Sequence, residues 1–373
     1  MAAPRHNSHS PELEDHRFPC SSCGSDLRFD PASGDLKCDH CGNTETIPRS
    51  TGAMAELDLR AVESDGDAAA RMEETRVARC DSCGAEVEFN DDIHARECPF
   101  CASPLVAGTG VNRHIKPQAQ LPFALTQENA QEAMRSWLGR LWFAPSDLRK
   151  AARSKGGMSG IYVPYWTYDA ETRSRYTGQR GTVYYETRRV PVVSKGKRRM
   201  TNQRVAKVRW RRVSGRVARN FDDILVLASN SLPKRFTDAL APWDLGGLKS
   251  YEPKFIAGFR AEAYGKSVRE SYPEAQEQMN IVISQDVRRD IGGDRQKIHS
   301  LDTDVGRLTF KHVLLPVWMA AYRYRGKTYR FVVNGQTGAV EGERPYSTIK
   351  IAIAVIIGLM LALAFAYLQI TQG

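Results

Sequence analysis

Residues 20–41 read CSSCGSDLRFDPASGDLKCDHC, and residues 80–101 read CDSCGAEVEFNDDIHARECPFC. Both are C-x2-C-x14-C-x2-C, and the second repeats the first at an offset of 60. The pairs Cys20/Cys23, Cys38/Cys41, Cys80/Cys83 and Cys98/Cys101 account for all 8 cysteines. Thiolates at i and i+3 of a tight turn can share one tetrahedral Zn2+ at about 2.3 Å from each sulfur. Gly24 and Gly84, each following the second cysteine of its turn, permit a positive φ there. Leu27/Phe29 and Val87/Phe89 alternate as strand residues do. The pattern predicts two small rubredoxin-like zinc ribbons, and hence two Zn2+ per chain.

A disulfide framework also uses an even number of cysteines. The opening 19 residues, however, are polar and lack the apolar core of a secretory signal. Paired C-x2-C turns without a signal favour metal in a reducing compartment. Spacing alone leaves Fe–S ligation open, and the symmetry of the two sets argues for a structural metal. His40 and His94 are expected to be bystanders, because four sulfurs complete each site.

At the other end, residues 351–368 read IAIAVIIGLMLALAFAYL without a charge. Eighteen helical residues at about 1.5 Å each span roughly 27 Å, enough for the hydrocarbon core. Arg344 and Lys350 precede the segment and no charge follows it. The positive-inside rule then leaves the N-terminal portion cytoplasmic, on a tail-anchored, single-pass chain in the inner (plasma) membrane.

Charge is unevenly spread over the 373 residues. Residues 1–112 carry a net −11 and the rest +21. The ribbons are therefore poor phosphate readers and are expected to meet protein. Basic residues crowd 187–220, which has no acid: Arg188, Arg189, Lys195, Lys197, Arg198, Arg199, Arg204, Lys207, Arg209, Arg211, Arg212, Arg216 and Arg219. Two strands of a hairpin are expected there, Val190–Val193 and Val205–Val213, with Lys195 to Arg199 near the tip. Such a hairpin is either a solvated basic surface or a polyanion contact. Anionic lipid is the nearest polyanion to a membrane-anchored chain. Nucleic acid is the second candidate, with Trp210 placed for base stacking.

Between these ends the pattern predicts an α+β, β-rich domain over 113–347. Thr126 should cap a helix over 127–140, and Ser146 should start another that ends near Gly156. Ile161–Tyr168 and Leu314–Tyr322 read as buried strands. They share apolar-Pro-x-Trp at Pro164/Trp166 and Pro316/Trp318, which suggests two related halves. A helix is expected around 273–290. Asn334-Gly335 is a hairpin turn signal. The remaining expected segments are a disordered tail over 1–17, ribbons over 18–48 and 78–106, a linker or short helix over 49–77, a Pro/Gly-containing connection over 102–120 and a transmembrane helix over 349–369.

No nucleotide-binding, hydrolase or metalloprotease motif is present. Gly265-Lys266-Ser267 lacks the first glycine of a phosphate loop, since Arg260 stands at that position. Asp222-Asp223 has the chemistry to hold a cation, although a turn is the expected role. No enzyme is expected.

Three stretches carry a family resemblance: WFAPSDLRKAAR (142–153) with GIYVPYWTYDA (160–170), GFRAEAYG (258–265) and LLPVWMAAYRYRGKTYRFVVNGQTGAVEGERPYS (314–347). With the ribbons and tail, they resemble bacterial membrane-anchored proteins with a TFIIB-type zinc ribbon, often labelled primosomal-helicase-like (replication factor Y-like). The label would imply replication, but no motor motif accompanies it. The resemblance implies a non-enzymatic adaptor that recruits membrane-stress proteins of the phage-shock and SPFH types. Two ribbons stand here where the family pattern has one.

Overall fold

The computed structural model describes residues 18–48, 54–61, 72–82, 85–88, 95–100, 103–106, 110–145, 158–194, 197–324, 327–344 and 346–372. The expected tail over 1–17 and the helix expected from Ser146 lie outside them.

The first cysteine segment folds as a three-stranded antiparallel sheet of β1 (Leu27–Asp30), β2 (Asp35–Cys38) and β3 (Thr44–Glu45). The expected linker holds β4 (Leu57–Asp58) and most of β5 (Met72–Arg79), so part of it is strand. Around the second segment, β6 (Glu86–Glu88) pairs with β5, and β7 (Ala95–Glu97) pairs with β8 (Pro104–Val106). β9 (Gly110–Ile115) also pairs with β5. The connection expected over 102–120 is therefore largely strand.

The body follows as β10 (Ala119–Gln120), α1 (Gln127–Arg140), β11 (Ser159–Ser194), β12 (Lys197–Leu227), α2 (Lys234–Ala239), β13 (Lys249–Ser250), β14 (Arg260–Ala261), α3 (Val268–Ile291), β15 (Arg295–Tyr324), β16 (Lys327–Asn334), β17 (Val340–Gly342) and α4 (Thr348–Gln372). A nine-stranded sheet runs β12-β11-β15-β10-β13. β14 lies against β11, β4 and β16 against β15, and β17 against β16.

The two related halves are visible as an exchange of parts. β10 pairs parallel with β15, placing Ala119 against Val313, and β14 pairs parallel with β11, placing Arg260 against Ile161. Aligning Pro164/Trp166 with Pro316/Trp318 matches Ile161 to Val313, so the two short strands occupy equivalent positions. Each tryptophan then reaches into the other half. Trp166 Nε1 donates to the Lys266 carbonyl at 2.9 Å, and Trp318 Nε1 donates to the Leu125 carbonyl at 3.0 Å. Those carbonyls precede Ser267 and Thr126, the N-caps of α3 and α1.

The sheet is covered on both faces because β11 and β15 alternate. Ile161, Val163, Tyr165, Val313, Leu315 and Val317 face one way and pack with Phe236 and Leu240 and with Ala78, Val87 and Phe100 of the second cysteine segment. Tyr162, Leu314 and Trp318 face the other way and pack with Leu27, Phe29 and Leu36 of the first segment and with Met134 and Leu138 of α1. Farther along that second face, Trp166, Tyr168 and Phe310 receive the stripe Val268, Ala275, Met279, Ile283, Val287 and Ile291 of α3. The two cysteine segments thus clamp opposite faces of one sheet.

Capping explains where α3 begins. The Ser267 side chain accepts from the Glu270 N–H, and the Glu270 carboxylate accepts from the Ser267 N–H, a reciprocal capping box. Thr126 caps α1 in the simpler way, accepting from the Asn129 N–H. Ser267→Ala removes one side of the box and is expected to cost about 1 kcal/mol in urea unfolding.

The Asn334-Gly335 signal does mark a chain reversal. It is wider than a two-residue turn, because Val333 pairs with Val340 and the Asn334 N–H donates to the Ala339 carbonyl at 2.8 Å. The alternation over 322–333 belongs to two strands, β15 and β16, joined at 325–326.

Candidate metal centre and basic hairpin

The first four cysteines converge. The ligand sulfurs of Cys20, Cys23, Cys38 and Cys41 all lie within 4.8 Å of one another. Cys20 and Cys41 are 3.6 Å apart and Cys23 and Cys38 3.5 Å apart. A tetrahedron of sulfurs about 2.3 Å from one zinc has edges of roughly 3.8 Å, so the cluster has the size a single metal ion requires. Gly24 and Gly42 both adopt φ of 77°, as the turn demands of glycine. Their N–H groups close onto the carbonyls of Cys20 and Cys38 at 2.9 Å.

Electrostatics also point to a cation. The Ser22 N–H, 3.4 Å from the Cys20 sulfur, pulls that thiol down to about 6. At Cys41 the Asn43 amide acts in the same direction, yet the surrounding cysteines and burial outweigh it and push the thiol up to about 12. Four thiols so close cannot all ionise without a positive charge among them. A metal ion bound here would supply it, and this four-cysteine cluster could hold one.

The second set repeats the knuckle geometry wherever it is described. The Cys20 N–H donates to the Ser25 carbonyl at 2.7 Å and the Cys38 N–H to Asn43 at 2.8 Å. Sixty residues on, Cys80 donates to Ala85 at 2.8 Å and Cys98 to Ser103 at 2.7 Å. Cys80 and Cys98 are both buried at 1% exposure. Cys83 and Cys101 lie outside the described residues.

Both segments are already docked on the body. The Phe29 N–H donates to the Ala257 carbonyl at 2.9 Å, and its ring meets Phe255 edge-on at 5.5 Å. In the second segment the Ala263 N–H donates to the Glu86 carbonyl at 3.1 Å. Next to that contact lies a group the sequence does not advertise. Glu262 is fully buried, which pushes its carboxyl up to about 8, and one of its oxygens accepts from the hydroxyls of Ser229 and Ser231.

The acidic pair has a partner in the chain. Asp222 and Asp223 join Asp169 in one cluster, beside a break in register between Tyr168 and Ala170. Lys311 of β15, 7% exposed, places its ammonium 2.9 Å from Asp223, 3.2 Å from Asp169 and 3.7 Å from Glu56. Burial draws the Lys311 pKa down, but Asp223 and Asp169 outweigh it and hold the ammonium charged. The cation at Asp223 is therefore a lysine, contributed by a strand far away in sequence.

The basic hairpin is the outer part of a much longer one. β11 and β12 pair from Tyr165↔Leu227 to Ser194↔Lys197, with one shift of register between Tyr168 and Ala170. β15 accompanies β11 only as far as Gly181↔Arg295. Beyond that the ribbon is two-stranded for about 40 Å at roughly 3.3 Å per residue. Register divides its basic residues between the faces. Arg188, Lys207, Arg209 and Arg211 share one face, and Arg189, Arg204 and Arg212 the other. All of these except half-buried Lys207 are exposed. Lys197, Arg198 and Arg199 are in the strand near the tip, and Lys195 lies outside the described residues.

Several of the basic groups are engaged. Lys207 pairs with Glu186, Arg204 lies 4.9 Å over the Tyr185 ring and Arg209 lies 5.3 Å over the Tyr184 ring. Trp210 is covered by Lys297 at 4.4 Å. Arg219 is held by Asp286 of α3, with Nη2 2.8 Å from Oδ1, and buttresses the base.

α4 is long and apolar enough to cross a membrane over Thr348–Gln369, and none of that apolar stretch is buried against the body. Its start is fixed to the α1 C-terminal turn. The Ser347 N–H donates to the Phe143 carbonyl at 2.8 Å, and Lys350 Nζ reaches the carbonyls of Trp142 and Ala144 at 3.1 and 2.8 Å.

Comparison with known proteins finds one likeness to report. The chain is 27% identical to the uncharacterized protein YdjG of Bacillus subtilis (strain 168) over 341 residues, 90% of this chain and 92% of the relative. The match is longer than the sheet body alone, so it reaches into at least one of the flanking parts. No family model matches the chain. No solved structure matches it.

Proposed function

We propose that the chain is a membrane-anchored, zinc-ribbon adaptor without enzymatic activity. α4 crosses the inner (plasma) membrane once and leaves the N-terminal portion in the cytoplasm. Two zinc ions, held by Cys20, Cys23, Cys38 and Cys41 and by Cys80, Cys83, Cys98 and Cys101, clamp the sheet. The basic hairpin docks a cytoplasmic protein partner, in keeping with the membrane-stress role implied by the family resemblance.

One observation carries this reading: β11 runs unbroken from the anchor side of the molecule to the hairpin tip. Its first residues, Ser159 and Gly160, pair with Met319 and Trp318, which pair with Val332 and Val333 of β16. β17 follows next in the sheet, and only residues 343–347 separate it from α4. The basic tip lies 36 residues away at the other end of the same strand. The apolar sides of the ribbons are committed to the sheet, whereas most described basic residues of the hairpin are exposed. An acidic protein face suits this hairpin better than nucleic acid, because Tyr184 and Trp210 are half-buried and each covered by a cation of the chain itself. Base stacking requires open rings.

The test is photo-crosslinking of full-length chain in native membranes from a probe at Tyr185, beside a variant with Arg204, Lys207, Arg209 and Arg211 changed to Gln. A salt-sensitive protein adduct that is lost in the variant is expected. Adducts to lipid or nucleic acid at that position would remove the protein-docking assignment. Removal of 348–372 should release the chain from the membrane fraction.

A further inference from the structure

Three exposed aromatic residues lie where α4 begins. Trp142 is 77% exposed, Phe143 42% and Tyr346 59%. The Trp142 and Phe143 rings stack at 6.3 Å with an interplanar angle of 17°. A stacked pair of bare rings on the turn after a helix is a poor surface for water. Neither ring belongs to the buried core that the neighbouring Ala144 joins at 6% exposure.

Their position is fixed by backbone contacts, not by a loose loop. The carbonyls of Trp142, Phe143 and Ala144 accept from Lys350 Nζ, the Ser347 N–H and Lys350 Nζ respectively. Lys350 also neutralises the carbonyl end of α1. On the other side, Arg344 lies 5.6 Å over the Tyr346 ring, leaving a guanidinium beside the first turn of α4. Ile349, one residue before the pinned lysine, is 72% exposed and opens the apolar face of the helix. Aromatic rings with polar handles, cations and the end of an apolar helix are thus held at one level. That combination matches the headgroup boundary of a bilayer, where Trp and Tyr place the ring among the acyl chains and the polar atom among carbonyls and phosphates.

We infer that Trp142, Phe143 and Tyr346 form an interfacial collar, which inserts into the headgroup–acyl boundary of the leaflet that α4 enters and holds the body at a fixed attitude to the membrane. The inference rests on the reading of α4 as a membrane span. Its occupant is phospholipid, because the patch is continuous with the span through three hydrogen bonds.

The experiment uses full-length chain in phospholipid nanodiscs carrying a nitroxide quencher either near the headgroup or at the acyl end. Wild-type tryptophan emission should be quenched more by the shallow label than by the deep one. Trp142→Phe should lose most of the shallow quenching, and Trp243→Phe should retain it. Equal shallow quenching in the wild type and Trp142→Phe would overturn the collar. Failure of the wild-type chain to elute with the nanodiscs would overturn the span itself, and the collar with it. Circular dichroism matching that of the wild type shows that Trp142→Phe is folded, as expected for so exposed a ring.

Discussion

Cys38→Ser is expected to lower bound zinc from two ions per chain to one and to unfold residues 18–48 while the sheet survives. Cys38 is 1% exposed, and its sulfur lies 3.5 Å from that of Cys23. A three-thiolate remnant with a serine hydroxyl in the fourth position holds zinc far more weakly. A segment this small builds little core of its own, and structural zinc in similar sites contributes about 10–16 kcal/mol of apparent folding free energy. The local effect should be visible in amide exchange. The N–H groups of Leu27 and Phe29, which donate to Phe18 and Ala257, lose their protection. The α3 amides, packed elsewhere on the same face, keep theirs. Elemental analysis of the wild type reads the stoichiometry directly, and zinc near zero in metal-replete protein would overturn the assignment.

Lys311→Met is the second large effect, and it acts on the body. The substitution leaves Asp169 and Asp223 partly buried against each other with no ammonium between them. Removing one partner of a buried ion pair costs about 3–5 kcal/mol, a large part of a domain's stability. The sign of the pH dependence follows from Asp169. Burial already raises its pKa, and the Asp223 N–H and Lys311 pull it back. Without Lys311 the folded pKa rises further above the unfolded value of about 3.9. Stability is then full below that value, where the carboxyl is protonated in both states, and falls as pH rises through the folded pKa. Thermal unfolding at neutral pH should show the deficit, and mildly acidic pH should shrink it. Adding Asp169→Asn and Asp223→Asn should restore most of it. A Lys311→Met variant as stable as wild type at pH 7 would show that the pair is solvated.

These two sites differ in how far the sequence announces them. The first cluster is legible because its ligands come in local i, i+3 turns, repeated at a fixed offset with glycine after the second thiol. α1 and α3 are equally local, since their caps sit within four residues of their first turns. The Lys311 site is a product of register: Thr167↔Lys311 and Asp169↔Thr309 become neighbours only once β11 and β15 pair. The same is true of the placement of the cysteine segments on opposite faces, which depends on the parity of a strand that begins 58 residues after Cys101. Charge composition marks the hairpin at 187–220, whereas the pairing runs from 165 to 227. The inner half is buried and aromatic, the outer half exposed and basic, and one continuous strand crosses both environments. Of the eight cysteines that the spacing marks, the described structure brings Cys20, Cys23, Cys38 and Cys41 together and places Cys80 and Cys98 in matching knuckles.

The continuity of β11 sets a length scale. Thirty-six residues of flexible linker would separate their ends by only about 33 Å on average. The same residues as a strand extend up to roughly 115 Å. A random coil delivers a cargo to a cloud of positions around its root, and most of those positions are near the root. A braced strand, with α3 against its inner part and α4 pinned to the body, delivers it to a narrow band at one distance. A multivalent partner would gain effective concentration only when its own sites match that spacing. Under the proposed docking role the hairpin would act as a ruler, and shortening it by an even number of paired residues should change which partners can be bridged while leaving the affinity of each single contact in place.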